Sequence, residues 1–405
     1  MHILMLTPSL PYPPQQGGAI RNFGIIKGLY AAGHTITLLS FHNETGLKAS
    51  DTPLNELCAH VECVPPPSRT TTQRLHDLVF SGQPDLAHRL YSPEMAERLR
   101  YLLTENRYDL VQFEGLEMAT YLPLVRQSQP EANLIYDAHN AEYALQRAIF
   151  QVDRGTFYRW LAAVYSLVQS RRITRFEAEI CQRADFVIAV SDEDAAALNV
   201  FRSDNCTGIV PNGIHIEDYV PPAERLDLGE HALVFTGKMD YRPNVDAMNW
   251  FAGDILPLVL EKIPDTRLYI VGQKPHARLE KLREKPYIEI TGWVRDVQPF
   301  LYATTVYIAP LRMGSGTRLK ILEAMAAGQA IIATSTAASG LNAPKDAIII
   351  ADDETSMADA IVTLLQASAR REALGEMARA FVQEHYDWSV LIPRLLAIYK
   401  GLGLG

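Results

Sequence analysis

Residues 306–334 constrain the fold more than any other stretch of the chain. Val306–Ala309 is an apolar run of strand length that ends at Pro310. A turn holding Gly314 and Gly316 follows, and Leu319, Leu322 and Ala326 then recur at helical spacing until Gly328 stops the helix. Ala330–Thr334 is a second buried run. The order is strand, loop, helix, strand: one βαβ unit with its loop at the carboxyl end of the first strand, the edge where such sheets take their ligands.

The chemistry of that loop suits an anion. Gly314 and Gly316 let the backbone come close to a ligand, the first N–H groups of the helix point outward, and Arg318 and Lys320 add positive charge beside them. Glu323, further along the helix, is placed to accept hydrogen bonds from a sugar diol. A short exposed helix with ordinary surface charges gives the same residues, and the spacing alone leaves both readings open.

The chain has 405 residues, more than one core usually fills, so two domains of about 200 residues each are expected. Net charge is −9, with no strongly basic region, which argues against nucleic acid as the main partner. Cys58, Cys63, Cys181 and Cys206 lack zinc-type spacing, and a reducing cytoplasm fits them. His2–Leu6 reads as a first strand and has no basic flank of a signal peptide; no apolar run reaches the roughly 18 residues of a membrane span.

The N-terminal half opens βαβ: strand over 3–7, amphipathic helix over 20–32, strand over 35–40. The first loop is long, and Gly17 and Gly18 sit just before the helix, either as a plain turn or as N–H donors to an anion. Residues 51–107 carry few strand signals and are expected as helices and loops. Strands follow over 109–113 and 133–137, the latter leading directly to His139, a turn residue or a catalyst at a strand end.

Residues 144–183 are helical in pattern, with seven arginines against three acids and with Phe150, Phe157, Tyr158, Trp160 and Tyr165 among them. Two readings stand: a solvated face over apolar packing, or peripheral contact with an anionic membrane. After the strand at 185–190, Ser191 with Asp192 and Asp194 reads as a helix N-cap in preference to a metal-binding pair.

A second α/β series begins near residue 231, with strands over 232–236, 267–271 and 288–291, helices over 244–255 and 297–303, and then the opening unit. Lys238 follows the first of these strands and Trp293 the third, both toward the same carboxyl edge as the loop at 314. Taken alone, Lys238 reads first as a surface lysine, and Trp293 either flanks a flat base or packs. Helices over 357–365, 369–385 and 391–399 complete the chain.

Gly17-Gly18 behind its proline-rich loop, Asp137-Ala-His139, Val210-Pro-Asn-Gly-Ile214, Phe235-Thr-Gly-Lys238 and Leu322-Glu323 through Gly328 together, in this order, resemble the family 4 glycosyltransferases. Within them the chain is most similar to bacterial exopolysaccharide-type sugar transferases. The resemblance implies an α/β fold of the GT-B type: two facing Rossmann-like, doubly wound parallel-sheet domains with a cleft between them. The first would be an acceptor-binding domain over 1–215, onto which a terminal helix of about 388–405 packs back and sets Trp388 near the hinge. The second, over 216–387, would hold the nucleotide sugar.

It also implies a retaining, metal-independent hexosyltransferase without a cofactor, cytoplasmic or peripheral at the inner membrane face. Its donor would be a UDP- or GDP-sugar and its acceptor a saccharide or lipid-linked saccharide. Residue by residue, Glu323 matches the ribose-binding glutamate, Lys238 the basic residue set against the diphosphate and His139 the histidine beside the reacting sugar. Gly17, Gly18, Trp293, Ser315, Gly316, Thr317 and Leu319 fall among the donor-binding positions. The chain departs from the family in three places, one of them Thr317-Arg318 where the family usually has Phe-Gly. Ser315 stands where a first glutamate contacts the donor sugar, and a second lysine, expected near Pro243, is absent, which makes Arg318 and Lys320 its candidate replacements. A non-catalytic nucleotide-sugar-binding partner and a GT-B sugar-nucleotide epimerase are the alternative readings.

Overall fold

A computed structural model describes residues 1–14, 17–43, 46–153, 160–202, 206–313 and 319–404, the side chains of Val79, 148–153 and 160–166 excepted. The chain divides into two compact units: unit 1 comprises 1–211 and 391–405, and unit 2 comprises 212–390. Among the described residues no helix is long and apolar enough to cross a membrane.

Unit 1 is built on strands β1 (His2–Thr7), β2 (Thr35–Phe41), β3 (His60–Val64), β4 (Leu110–Glu114), β5 (Asn133–Ala138), β6 (Phe186–Ala189) and β7 (Thr207–Ile209), in the order β3-β2-β1-β4-β5-β6-β7. Every pairing is parallel. Ile3, Leu4, Met5 and Leu6 are wholly buried, as a central strand covered on both faces requires. The strand order reverses beside β1, so the crevice outside the carboxyl ends of β1 and β4 is the switch point of this sheet.

One expectation needs correction here. Residues 51–107 contain an edge strand, β3, whose polar and half-buried residues hid it from a search for apolar runs. Helices Glu142–Asp153 and Trp160–Arg183 follow the helical pattern expected over 144–183. Phe150, Phe157, Tyr158, Trp160 and Tyr165 lie outside the described side chains. Further along the second helix, Ile173, Phe176, Ile180 and Cys181 are buried, and Arg172 donates to the carbonyl of Leu78 at 2.9 Å.

Segment 391–405 completes unit 1. Ile392 packs so closely on the helix Gly17–Ala31 that a Cβ at Gly28 would lie 2.2 Å from its Cγ1. Tyr399, also wholly buried, gives its hydroxyl hydrogen to Gln112 Oε1 at 2.5 Å, inside β4.

Unit 2 has strands β8 (Ala232–Thr236), β9 (Arg267–Val271), β10 (Ile288–Gly292), β11 (Val306–Ala309), β12 (Ile331–Ala333) and β13 (Ile349–Ile350), ordered β10-β9-β8-β11-β12-β13 and again parallel throughout. Its switch point lies between β8 and β11, so the βαβ unit over 306–334 flanks it. The helix Leu319–Ala326 buries Ile321, Leu322, Ala324, Met325 and Ala326 against the sheet and ends where Gly328 takes φ +68°. The helix Arg242–Trp250 runs through a π-helical turn, Phe251–Ile255, into Leu256–Lys262. Pro257 lacks an N–H and crowds the preceding turn, which the wider turn relieves.

Candidate functional site

Each unit presents a cluster at the carboxyl edge of its sheet. In unit 1, β5 delivers His139 just past its end, and β4 delivers Glu114 as its last residue. The two side chains meet: His139 Nε2 is 3.1 Å from Glu114 Oε2. Glu114 is wholly buried and Gln112 donates to its other oxygen at 2.7 Å. With its amide nitrogen turned toward Glu114, Asn22 donates to Oε2 at 2.8 Å and to the carbonyl of Gly18 at 3.2 Å. His139 is thus held by Nε2, and its Nδ1 edge faces Gly18 and Gly115, where added Cβ atoms would lie 3.8 Å away.

Burial works to lower the pKa of His139, but the Glu114 hydrogen bond and charge overcome it and the net shift is upward. The imidazolium form can therefore donate from Nδ1 toward a ligand at the glycine turn. Beneath this pair, Arg21 and Asp137 form a buried fork, with NH2 2.7 and 2.9 Å from the two carboxylate oxygens. Arg21 NH1 also donates to the carbonyls of Val210 and Pro211 at 2.9 and 3.1 Å. The Val210-Pro211 motif therefore serves as an anchor for this pair.

The helix that follows His139 has its first N–H groups occupied. Ala141 N donates to Asp194 at 2.9 Å, and Glu142 N and Tyr143 N donate to Glu177 at 3.0 and 2.7 Å. Asp194 is held in turn by Ser191, which caps the helix Asp192–Asn199. Burial pushes Glu142 up to about 7 and Glu177 up to about 8.

In unit 2 the turn after β8 is locked to the end of β9. Gly237 N donates to Val271 O at 3.0 Å and Met239 N to Gln273 O at 2.9 Å. Gly272, at φ +152°, passes so close that a Cβ there would lie 1.7 Å from the Gly237 carbonyl oxygen. This packing sets Lys238 at the edge, exposed, with Asp240 3.8 Å from its ammonium. Lys320, the second residue of the helix Leu319–Ala326, reaches back over the same turn: its Nζ donates to Asn244 Oδ1 at 2.7 Å and lies 4.1 Å from the Phe235 ring centroid. Pro243, where the family's second lysine is expected, is buried in the neighbouring helix, and the Lys320 ammonium reaches the residue beside it.

Glu323 lies on the next turn of the Lys320 helix and accepts a hydrogen bond from Tyr219 at 3.2 Å. Burial pushes Glu323 up to about 7, against the Tyr219 hydrogen bond and the Lys320 charge, both of which lower it. Arg312, another cation of this edge, is engaged by Asp246 through two bonds of 2.9 and 2.8 Å.

The structure therefore brings Gly18 together with His139, and Lys238 together with Lys320 and, one turn further, Glu323. Gly17 is the first residue of its helix, Gly17–Ala31, where the sequence pattern places it just before the helix. Trp293 stands 63% exposed at the end of β10. Leu319 is packed against the core, which leaves its backbone N–H as the group able to serve a ligand. Ser315, Gly316, Thr317 and Arg318 lie outside the described residues. Glu114, Asn22, Asn244 and Tyr219 were not foreseen; two polar residues at alternate positions of a buried strand, Gln112 and Glu114, were the available signal.

Residues 16–218 match the family described as Glycosyltransferase Family 4, and residues 230–367 match Glycosyl transferases group 1. A Klebsiella pneumoniae protein described as an uncharacterized 44.6 kDa protein in the cps region is 22% identical over 95% of this chain and 96% of its own length. A phosphatidyl-myo-inositol mannosyltransferase of Propionibacterium freudenreichii is 29% identical over 63% of this chain and 66% of its own. Among solved structures, sucrose-phosphate synthase from Thermosynechococcus elongatus superposes with a TM-score of 0.73 at 16% identity, covering 99% of both chains. Anabaena HepE in complex with UDP and glucose gives 0.65 at 14% identity, covering 99% of this chain and 100% of its own. Two family matches that take up most of the sequence, laid over two parallel sheets of Rossmann order, make this chain a family 4 glycosyltransferase of the GT-B type.

Proposed function

We propose that this glycosyltransferase takes a sugar from a nucleoside-diphosphate donor and passes it, with retention of configuration, to a saccharide or lipid-linked saccharide of a cell-surface polysaccharide. The observation that carries the donor assignment is the lysine pair at the switch point of unit 2, Lys238 beside the Gly237 turn and Lys320 reaching over it, with Glu323 one turn along. HepE, solved in complex with UDP and glucose, supports the donor class, and the cps-region relative supports the polysaccharide role.

In this reading the leaving diphosphate gains charge as the bond to the sugar breaks, and fixed cations with helix-start N–H groups stabilise that charge without reorganising. Lys238 and Lys320 supply the cations. Glu323 accepts hydrogen bonds from the ribose diol. His139, held through Nε2 by Glu114, turns its Nδ1 side toward the reacting sugar and orients it; on the same-face route the departing phosphate takes the acceptor proton. Contact with an anionic membrane would bring the enzyme to a lipid-linked acceptor.

The test is nucleotide release from a panel of UDP- and GDP-sugars with and without oligosaccharide and lipid-linked acceptors. Release that depends on acceptor, with the anomeric configuration kept in the product, is expected. Release without acceptor would replace transfer by an epimerase reading, and binding without release would leave a non-catalytic nucleotide-sugar-binding protein.

A further inference from the structure

Asn244 stands in the first turns of the helix Arg242–Trp250 and is 4% exposed. Its amide faces two ways. Oδ1 accepts from Lys320 Nζ at 2.7 Å, and Nδ2 donates to the backbone carbonyl of Lys238 at 2.8 Å. A single buried side chain thus ties together the two elements that carry positive charge at this edge, one on the turn after β8 and one on the helix after β11.

The seat of the Lys320 ammonium is defined on its other sides as well. The Phe235 ring lies beneath it at 4.1 Å, a favourable face for a cation. Gly237 leaves the space it occupies: a Cβ there would come within 2.7 Å of Nζ and 2.8 Å of Asn244 Nδ2. A neutral amide is the anchor this arrangement needs. It holds the ammonium by one hydrogen bond and leaves its charge intact, whereas a carboxylate at 244 would cancel that charge against an incoming anion. An apolar residue would take this acceptor from Lys320 and leave the Lys238 carbonyl without this donor.

We propose that Asn244 is a positioning residue for the donor diphosphate: it seats the Lys320 ammonium over the Gly237–Lys238 turn, so that cation and turn act as one preformed phosphate site. The proposal rests on the reading of this edge as a nucleoside-diphosphate site. Asn244 touches no reacting atom, and its effect is carried by Lys320.

The experiment is calorimetric titration of UDP, GDP, uridine and guanosine into wild type, Asn244→Ala, Lys320→Ala and the double variant. Asn244→Ala is expected to weaken the preferred diphosphate about tenfold while the matching nucleoside stays within about twofold. The double variant should bind the diphosphate no worse than Lys320→Ala alone, since both changes remove the same placed charge. Equal losses for diphosphate and nucleoside would mark a merely structural role and overturn the proposal, as would undiminished diphosphate binding or additive losses. If Asn244→Ala fails to fold, Asn244→Asp carries the same test, because it keeps an acceptor for Lys320 but cancels its charge; diphosphate selectivity equal to wild type would then overturn it. Wild type that binds neither UDP nor GDP would defeat the reading of the edge itself, a result distinct from the other failures.

Discussion

Tyr219 donates its hydroxyl hydrogen to Glu323 Oε1 at 3.2 Å, and this bond restrains a carboxyl that burial pushes up to about 7. Glu323 ordinarily titrates near 4.5. With the folded value raised, the fold favours the protonated acid, so stability is highest below the unfolded pKa and falls as pH rises through about 7. A ribose diol donating to this residue favours the carboxylate, so nucleoside affinity should tighten over the same interval. Titration of the preferred nucleoside between about pH 5.5 and 8.5 measures this. Tyr219→Phe should move the midpoint upward and Glu323→Gln should flatten the profile; an unchanged profile in both would remove Glu323 from the ribose.

Glu114→Gln acts on His139 in the opposite direction. The raised pKa of His139 depends on the Glu114 hydrogen bond and charge, and without them burial dominates. The charged groups that act on the imidazole include Glu114, Asp137, Arg21 and Glu142, and Glu114 bonds its ring. NMR titration of the His139 ring should show a lower pKa in the variant. The His139–Glu114 interaction contributes stability that is fully present below the unfolded pKa and fades as pH rises through the folded value. Denaturant unfolding at two pH values should therefore show less loss on raising pH in Glu114→Gln than in wild type.

Lys238→Ala and Lys320→Ala should each lower turnover by about a hundredfold, the range for removal of one preorganised electrostatic group. Steady-state assay with the preferred donor checks this, with circular dichroism confirming the fold. Wild-type turnover in both variants would dissociate the lysine pair from the leaving group.

Gly272→Ala tests the close passage between the ends of β8 and β9. The added methyl would need to occupy the position of the Gly237 carbonyl, at a φ of +152° that side chains avoid. A loss of at least about 2 kcal/mol in denaturant unfolding is expected. Nucleoside-diphosphate affinity should fall too, because the turn that carries Lys238 would move.

The two sheets were legible in the sequence because parallel strands covered on both faces are written as short, nearly unbroken apolar runs. β8 and β9 show this at 232–236 and 267–271. β3 was not, because an edge strand such as His60–Val64 mixes polar with apolar residues. Of the candidate site, the places of His139, Lys238 and Glu323 at the sheet edges were readable because each follows a strand or lies on the helix after one, while the roles given to them rest on the family resemblance. Their supports were not. Asn244, Tyr219 and Arg21 act on partners 76, 104 and 116 residues away, and in one dimension they look like a helix amide, a loop aromatic and a surface charge. The pairing is a product of topology, which local pattern does not encode.

Tyr399 closes the network that begins at His139, by way of Gln112 and Glu114, from within a segment that returns to unit 1 after the whole of unit 2 has been traversed. During synthesis the first sheet therefore emerges without the helix that fills its last buried positions. Its full core must wait until residues 212–390 have left the ribosome. Truncation before Tyr399 would thus be felt first around a histidine 260 residues upstream, and the interval of translation is a period in which the Gln112 amide and the surface around Gly28 stay open to other partners.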